Sequence, residues 1–217
     1  MINILSLFSL IAVSTICYFI FLYFVNKTDG CGVQIGGYYS LPSTLTKTKK
    51  KGIKAERLVN GRLRILLKKG EYLLSNLIIP TQEGLEYEID GLLISKKGIF
   101  CIETKDWKGT IIGCNKDSCW IQRFDYNNGI SRKIHNPVKQ NAKHCELLEE
   151  LLDFQYPVDN IIIFASSNNL RCIQSKYVFS IGDFKKCYSM LEENQLSKNQ
   201  ITKVVDKLCP YIANVIA

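Results

Sequence analysis

Residues 83–109 read EGLEYEIDGLLISKKGIFCIETKDWKG, and how this stretch folds decides the rest of the chain. Gly91-Leu-Leu-Ile and Ile99-Phe-Cys-Ile are two apolar runs separated by Lys96-Lys97-Gly98, a pattern that predicts two strands joined by a tight turn. The runs are too continuously apolar for a half-exposed hairpin, which predicts the middle of a sheet covered on both faces. Against that background the charges stand out. Asp90 falls near the start of the first strand and Glu103-Thr104-Lys105 at the end of the second. Side chains alternate along a strand, so Glu103 and Lys105 share a face and Thr104 takes the other. Two acids and a lysine then meet at one end of a buried sheet.

Such a group suits metal-assisted hydrolysis of a phosphodiester. Magnesium takes oxygen ligands, is commonly held by one or two protein carboxylates, and keeps positions for water and substrate phosphate. Asp90 and Glu103 supply those carboxylates. Lys105 is placed to orient or help deprotonate the attacking water and to offset the negative charge that grows at phosphorus.

The spacing Asp90…Glu103-Thr104-Lys105 resembles the D…ExK signature of the PD-(D/E)XK nuclease superfamily. More narrowly, Glu88-Ile89-Asp90-Gly91, the run from Gly98 to Lys105 and Trp107-Lys108-Gly109 resemble the nuclease-related domain family, NERD. Lys51-Gly52-Ile53-Lys54-Ala55-Glu56 is similar to that family's opening helix, although Ala55 stands where the family usually has Gly. Asn136-Pro137-Val138-Lys139-Gln140-Asn141 is similar to its later Asn-Pro-Val-x-Gln segment, so the resemblance covers roughly residues 50 to 165.

The resemblance implies an α/β fold with a restriction-endonuclease-like core, a central mixed sheet flanked by helices. It implies a nuclease that uses Mg2+ or Mn2+, with Asp90 and Glu103 as metal ligands and Lys105 as the charge-stabilising group. It assigns Glu56 the role of a further acid near the metal, and Gln140 a contact with the substrate backbone or a metal-bound water. Nucleic acid is the implied partner, with DNA the default because the superfamily's nucleases mostly act on it. A binding module that holds nucleic acid or a protein without cutting is the rival from another class.

The composition agrees with a packed domain that meets an anion. At 217 residues with 47% hydrophobic content the chain can build a full core, and 28 Lys plus Arg against 20 Asp plus Glu give a net charge of +8. Such a balance suits nucleic acid or an acidic membrane surface and excludes a disordered chain. Residues 2–25, INILSLFSLIAVSTICYFIFLYFV, carry no charge and are long enough to span a bilayer as one helix. A cleaved signal peptide would show a basic start, a shorter apolar core and a small-residue cleavage site, none of which is evident. Lys27 and the lysines at 47, 49, 50, 51 and 54 follow the span and none precedes it, which places the C-terminal domain in the cytoplasm. Nine cysteines without a framework spacing fit a reducing compartment.

Residues 26–50 read as a linker rich in Gly, Ser, Thr and Lys, and 51–217 as the nuclease-like domain. Within it, Ala55, Leu58, Val59, Leu63 and Leu66 predict a helix over 51–67, with Glu56 at the margin of its apolar stripe. Residues 72–80 predict a strand ended by Pro80, 110–122 a further strand or hairpin around Trp120, and 123–133 a polar excursion. Pro137 opens a helix to Asp153 whose faces carry Val138, Ala142, Cys145, Leu148 and Leu152, and, alongside, Gln140 and His144. A buried strand at 158–165, a short one at 177–181, and helices begun by Asp183 and Ser197 complete the expectation. Trp107 is read as packing on the sheet edge rather than stacking on a base, and His144 as a structural histidine near the site.

Overall fold

The computed structural model describes residues 33–35, 47–81, 84–124, 129–166 and 170–212. The predicted hairpin is its centre. Strands β3 (Glu86–Ser95) and β4 (Gly98–Lys105) pair antiparallel from Ser95↔Gly98 to Gly91↔Ile102. They lie inside a six-stranded mixed sheet of order β1-β2-β3-β4-β8-β10, built also from β1 (Val33–Ile35), β2 (Tyr72–Pro80), β8 (Val158–Phe164) and β10 (Val178–Ser180). The turn is closed from outside the hairpin. The buried Glu71 carboxylate accepts from Lys68 N at 2.8 Å and Lys96 N at 3.2 Å.

Both faces of this sheet are covered, as continuous apolar strands require. Leu73, Leu93, Phe100, Ile102 and Ile163 pack under α1 (Lys47–Arg64) and α3 (Ile181–Met190). Leu74, Leu92, Ile94, Ile99 and Cys101 pack under α2 (Pro137–Leu151) and α4 (Lys198–Leu208). A second sheet of order β7-β6-β5-β9 comprises β5 (Thr110–Cys114), β6 (Cys119–Phe124), β7 (Ile130–His135) and β9 (Ile173–Gln174). Its Trp120 and Ile111 pack with Val138, Ile162 and Phe164 of the main body.

The expected α/β class with a mixed sheet flanked by helices is what the chain forms. β2 and the strand at 158–164 match their predicted limits closely, and β8 runs parallel to β4 as the preceding helix demands. Several local details differ. Within the stretch expected as linker, residues 33–35 pair parallel with β2 and the helix begins at Lys47. Leu58 is exposed while Ile53 and Asn60 are buried, so the helix stripe is rotated toward Ile53. The expected polar excursion at 123–133 is partly strand: its exposed residues are backbone-paired with β6, and a single-sided edge strand needs no apolar pattern. The α3 cap is Ser180, which accepts from Asp183 N, rather than Asp183 itself. The expected membrane span at 2–25 lies outside the described residues, and among the described residues no helix is long and apolar enough to cross a membrane.

One glycine is fixed by a close approach. Gly109 has φ +83°, and a Cβ there would lie 2.3 Å from the Arg123 carbonyl oxygen, so β6 can reach the end of β4 only past a residue without a side chain. Gly61, within α1, has open space around its Cβ position. Gly109→Ala is therefore expected to destabilise the chain by about 2 kcal/mol or more, and Gly61→Ala to stabilise it by about 0.5–1 kcal/mol. Urea denaturation of the two variants beside the wild type checks the pair, and equal effects would contradict the described path of residues 105–110.

Candidate active site

The site forms where β3 and β4 part company. Their pairing ends at Gly91↔Ile102, while β4 continues beside β8 as far as Lys105↔Phe164. Beyond that point the Thr104 N–H has lost its strand partner on the β3 side, and Asp90 Oδ2 accepts it at 2.7 Å. A carboxylate thus replaces a rung of the ladder. On β2, opposite this rung, Asn76 adopts φ 56° and lies between the bridged pairs Ser75↔Gly91 and Leu77↔Ile89.

Glu103 is almost fully buried, at 4% exposure, and alternation turns it toward α2 as expected. Its Oε1 accepts from Lys105 Nζ at 2.5 Å and from Gln140 Nε2 at 3.1 Å. Lys105 Nζ also donates to Gln140 Oε1 at 3.3 Å, closing a triangle of acid, ammonium and amide. His144, one turn further along α2, places Nδ1 3.7 Å from Glu103 Oε2. That nitrogen is buried without a hydrogen-bond partner among the described residues. Burial lowers the His144 pKa, the Glu103 charge works against this, and Lys105 adds to it.

α2 is aimed by buried amides. The side-chain oxygen of Asn136 caps the helix by accepting from Val138 N at 2.9 Å. Its amide donates to the carbonyls of Cys114, Asn115 and Asp117 in the β5–β6 turn. Asn141, fully buried, donates to the Cys101 carbonyl and to Asn160 Oδ1, both at 2.9 Å. Gln140 sits beside it and so inherits a fixed position. Asn141 is not singled out by the sequence motif alone; its signal is a polar residue at a helix position facing a buried strand.

α1 brings Glu56 to the same place. A cleft of about 260 Å3 is lined by Gly52, Ile53, Glu56, Glu88, Asp90, Glu103 and Gln140. The Glu56 carboxyl is pushed up to about 7, first by burial and then by the charges of Glu88 and Glu103. Asp90 is raised well above the usual carboxylate range, first by burial and then by Glu103 and Glu56, against the Thr104 hydrogen bond that lowers it. Of the five residues singled out in the sequence, Glu56, Asp90, Glu103 and Gln140 line this one space, and Lys105 is bonded to the last two. Glu88 is an addition, legible in principle because it lies two residues before Asp90 on the same strand face.

Among the described residues no three His, Cys, Asp or Glu side chains already converge at metal-ligating spacing. The donor set nevertheless fits magnesium, a cation that takes one or two carboxylates and completes its shell with water. Asp90 and Glu103 supply two hard oxygen donors of opposite strands, and the crowded negative charge that raises Asp90 and Glu56 is what a cation would relieve. Cys114 and Cys119 are free thiols. Trp107 packs edge-on against Phe164, ring centroids 5.8 Å apart, with Lys105 Nζ 5.5 Å from its ring, in agreement with the packing role expected of it.

Residues 51–165 match the family described as nuclease-related domain. An uncharacterized protein of Bacillus anthracis is 31% identical over 163 residues, which cover 72% of this chain and 74% of that protein. No solved structure matches.

The raised Glu56 pKa has a signed consequence for stability. A carboxyl that holds its proton more tightly when folded contributes stability that is fully present below its unfolded value of 4.5 and is lost as pH rises through about 7. With divalent metal chelated, urea midpoints of wild type and Glu56→Gln are expected to be similar in acid and to diverge between these two pH values, the wild type falling behind. A difference that stays constant across the range would mean that Glu56 is not held in this environment.

Proposed function

The chain belongs to the nuclease-related domain family, and from that premise we propose that it is a membrane-anchored, metal-dependent nuclease that hydrolyses phosphodiester bonds of DNA. The observation that carries the reading is the single cleft shared by Glu56, Asp90, Glu103 and Gln140, with Lys105 bonded to the last two. A binding surface gains nothing from acids gathered where phosphate must lie; a hydrolase does, because a cation offsets them and acts on the phosphate.

Asp90 and Glu103 would hold Mg2+ or Mn2+. A bound ion of this kind polarises the phosphoryl oxygen and makes a bound water more acidic. Lys105 is held in place by the Glu103 carboxylate and the Gln140 amide oxygen, so its ammonium faces the charge that develops at phosphorus. Gln140 can donate and accept, which lets it orient water or a phosphate oxygen beside Glu103. Glu56, with a proton affinity near neutrality, is suited to take the proton that the attacking water gives up. DNA is the substrate assigned, on the habit of the superfamily. Residues 2–25 form the anchor in this reading, and the lysines that follow keep the domain on the cytoplasmic side.

Purified full-length chain in mild detergent, given circular single-stranded DNA, duplex DNA or RNA, is expected to cut DNA in magnesium or manganese and to stop in EDTA. Glu103→Ala and Lys105→Ala are each expected to lower the rate by roughly 10²-fold or more. Cutting that survives both substitutions would refute the assignment, and binding without cutting in any metal would leave a nucleic-acid-binding module.

A further inference from the structure

The ribbon formed by β6 and β7 is mounted directly on the segment that follows the catalytic lysine. Gly109 allows β6 to approach to backbone contact at Arg123, and Thr110 pairs with that residue. Gln122, buried to 2% exposure, donates through Nε2 to the Lys108 carbonyl at 2.6 Å. Its Oε1 in turn accepts from Arg132 Nε at 2.8 Å. Arg132 is the register partner of Gln122 across the ribbon, so both side chains leave the same face, the one on which Trp120 packs into the body of the protein.

The packing does not account for the guanidinium. Arg132 is exposed, it lies over the Phe124 ring at 5.7 Å, and among the described residues its hydrogen bonding is through Nε alone. Arginine has five N–H donors in a rigid fork, of which the Nη groups match two phosphate oxygens. One donor is spent on holding the fork still; the ring beneath it limits its other motions. An arginine whose stem and Nε are fixed while its outer nitrogens face solvent is preorganised for an anion.

We propose that Arg132, seated on Phe124 and tied through Gln122 to Lys108, is a phosphate subsite that grips the nucleic-acid strand beside the bond being cut. The inference rests on the nucleic-acid reading above and adds a specific contact to it. Lys108 lies three positions after Lys105, a reach of no more than about 11 Å. The subsite is therefore anchored close to Lys105, with the Gln122 side chain and the arginine fork adding to that distance. A phosphate held there fixes the strand's register in the cleft without reading its sequence. Lys108, exposed beside the mount, adds to the positive field on the same side.

The test is fluorescence anisotropy of a labelled DNA oligonucleotide with the full-length chain in detergent and EDTA, titrated over a range of KCl, alongside metal-started cleavage. Arg132→Ala is expected to weaken binding roughly tenfold at low salt and to reduce the slope of log affinity against log salt by about one. Arg132→Lys, which keeps the charge and the stem but not the fork, should restore the slope and only part of the affinity. Lys203→Ala on α4, which also removes one exposed positive charge, is the control and should change neither beyond a small uniform loss. Arg132→Ala indistinguishable from Lys203→Ala overturns the subsite, and does so without touching the nuclease assignment if the wild type still cuts. Loss of binding in Arg132→Ala from a wild type that binds but never cuts supports the subsite and overturns the hydrolase. A wild type that neither binds an oligonucleotide nor cuts one when metal is added overturns both.

Discussion

The hydrogen bond from the Thr104 N–H to Asp90 is the constraint on which the site depends. A buried backbone donor left without an acceptor costs on the order of 1–3 kcal/mol, so two central strands cannot separate unless something replaces the lost rung. A carboxylate does so here. The replacement opens a cleft between β3 and β4 inside an otherwise closed core and fixes one acid at its wall. Glu103 lies on the facing strand one residue before Thr104, so the opening itself sets the spacing between the two acids.

Holding α1 over that opening takes a second set of contacts. Asn60 donates to Ser75 Oγ at 3.2 Å, and a Cβ at Gly91 would come within 3.1 Å of Asn60 Oδ1. The glycine after Asp90 therefore serves the helix rather than the turn: it lets α1 settle close enough for Glu56, one turn before Asn60, to enter the cleft. At the other end of the opening Lys51 meets Asp106 at 3.1 Å, and Asp106 accepts from Ser166 at 2.6 Å. Helix α1, the end of β4 and the exit of β8 are thus clasped around the same space.

The central hairpin and the class of the fold were legible because burial on both faces leaves an unbroken apolar run that no exposed strand could carry. The five candidate residues stand out for different reasons: Asp90, Glu103 and Lys105 are charges in such a run, while Glu56 and Gln140 are marked only by the flanking motif blocks. What the sequence hid was governed by backbone pairing or by shape. β7 has an exposed, polar pattern because its partner β6 satisfies its backbone on one side only, and Leu58 was misplaced because the rotation of α1 follows Gly91 and Asn60, not its apolar count. Asn141 and Glu71 look like surface residues by type; only the carbonyls and N–H groups around them make them interior.

Among the described residues, the acids that line the cleft outnumber the cations, Lys105 and Arg57, that act on Glu56 there. Lys105 is the cation bonded inside the triangle with Glu103 and Gln140, while Asp90 and Glu56 are each raised by burial and by neighbouring acids. A charged His144 imidazole, 3.7 Å from Glu103, would pair with it and offset part of this excess. Burial and Lys105 hold it in the opposite direction, toward the neutral form. A protonated His144 would satisfy Glu103 from behind and weaken its attraction for anything in the cleft. A neutral one leaves that negative charge directed into the open space between the strands, where the remaining acids also point. The imbalance is consistent with a site whose missing counter-charge arrives with its ligand rather than with its fold.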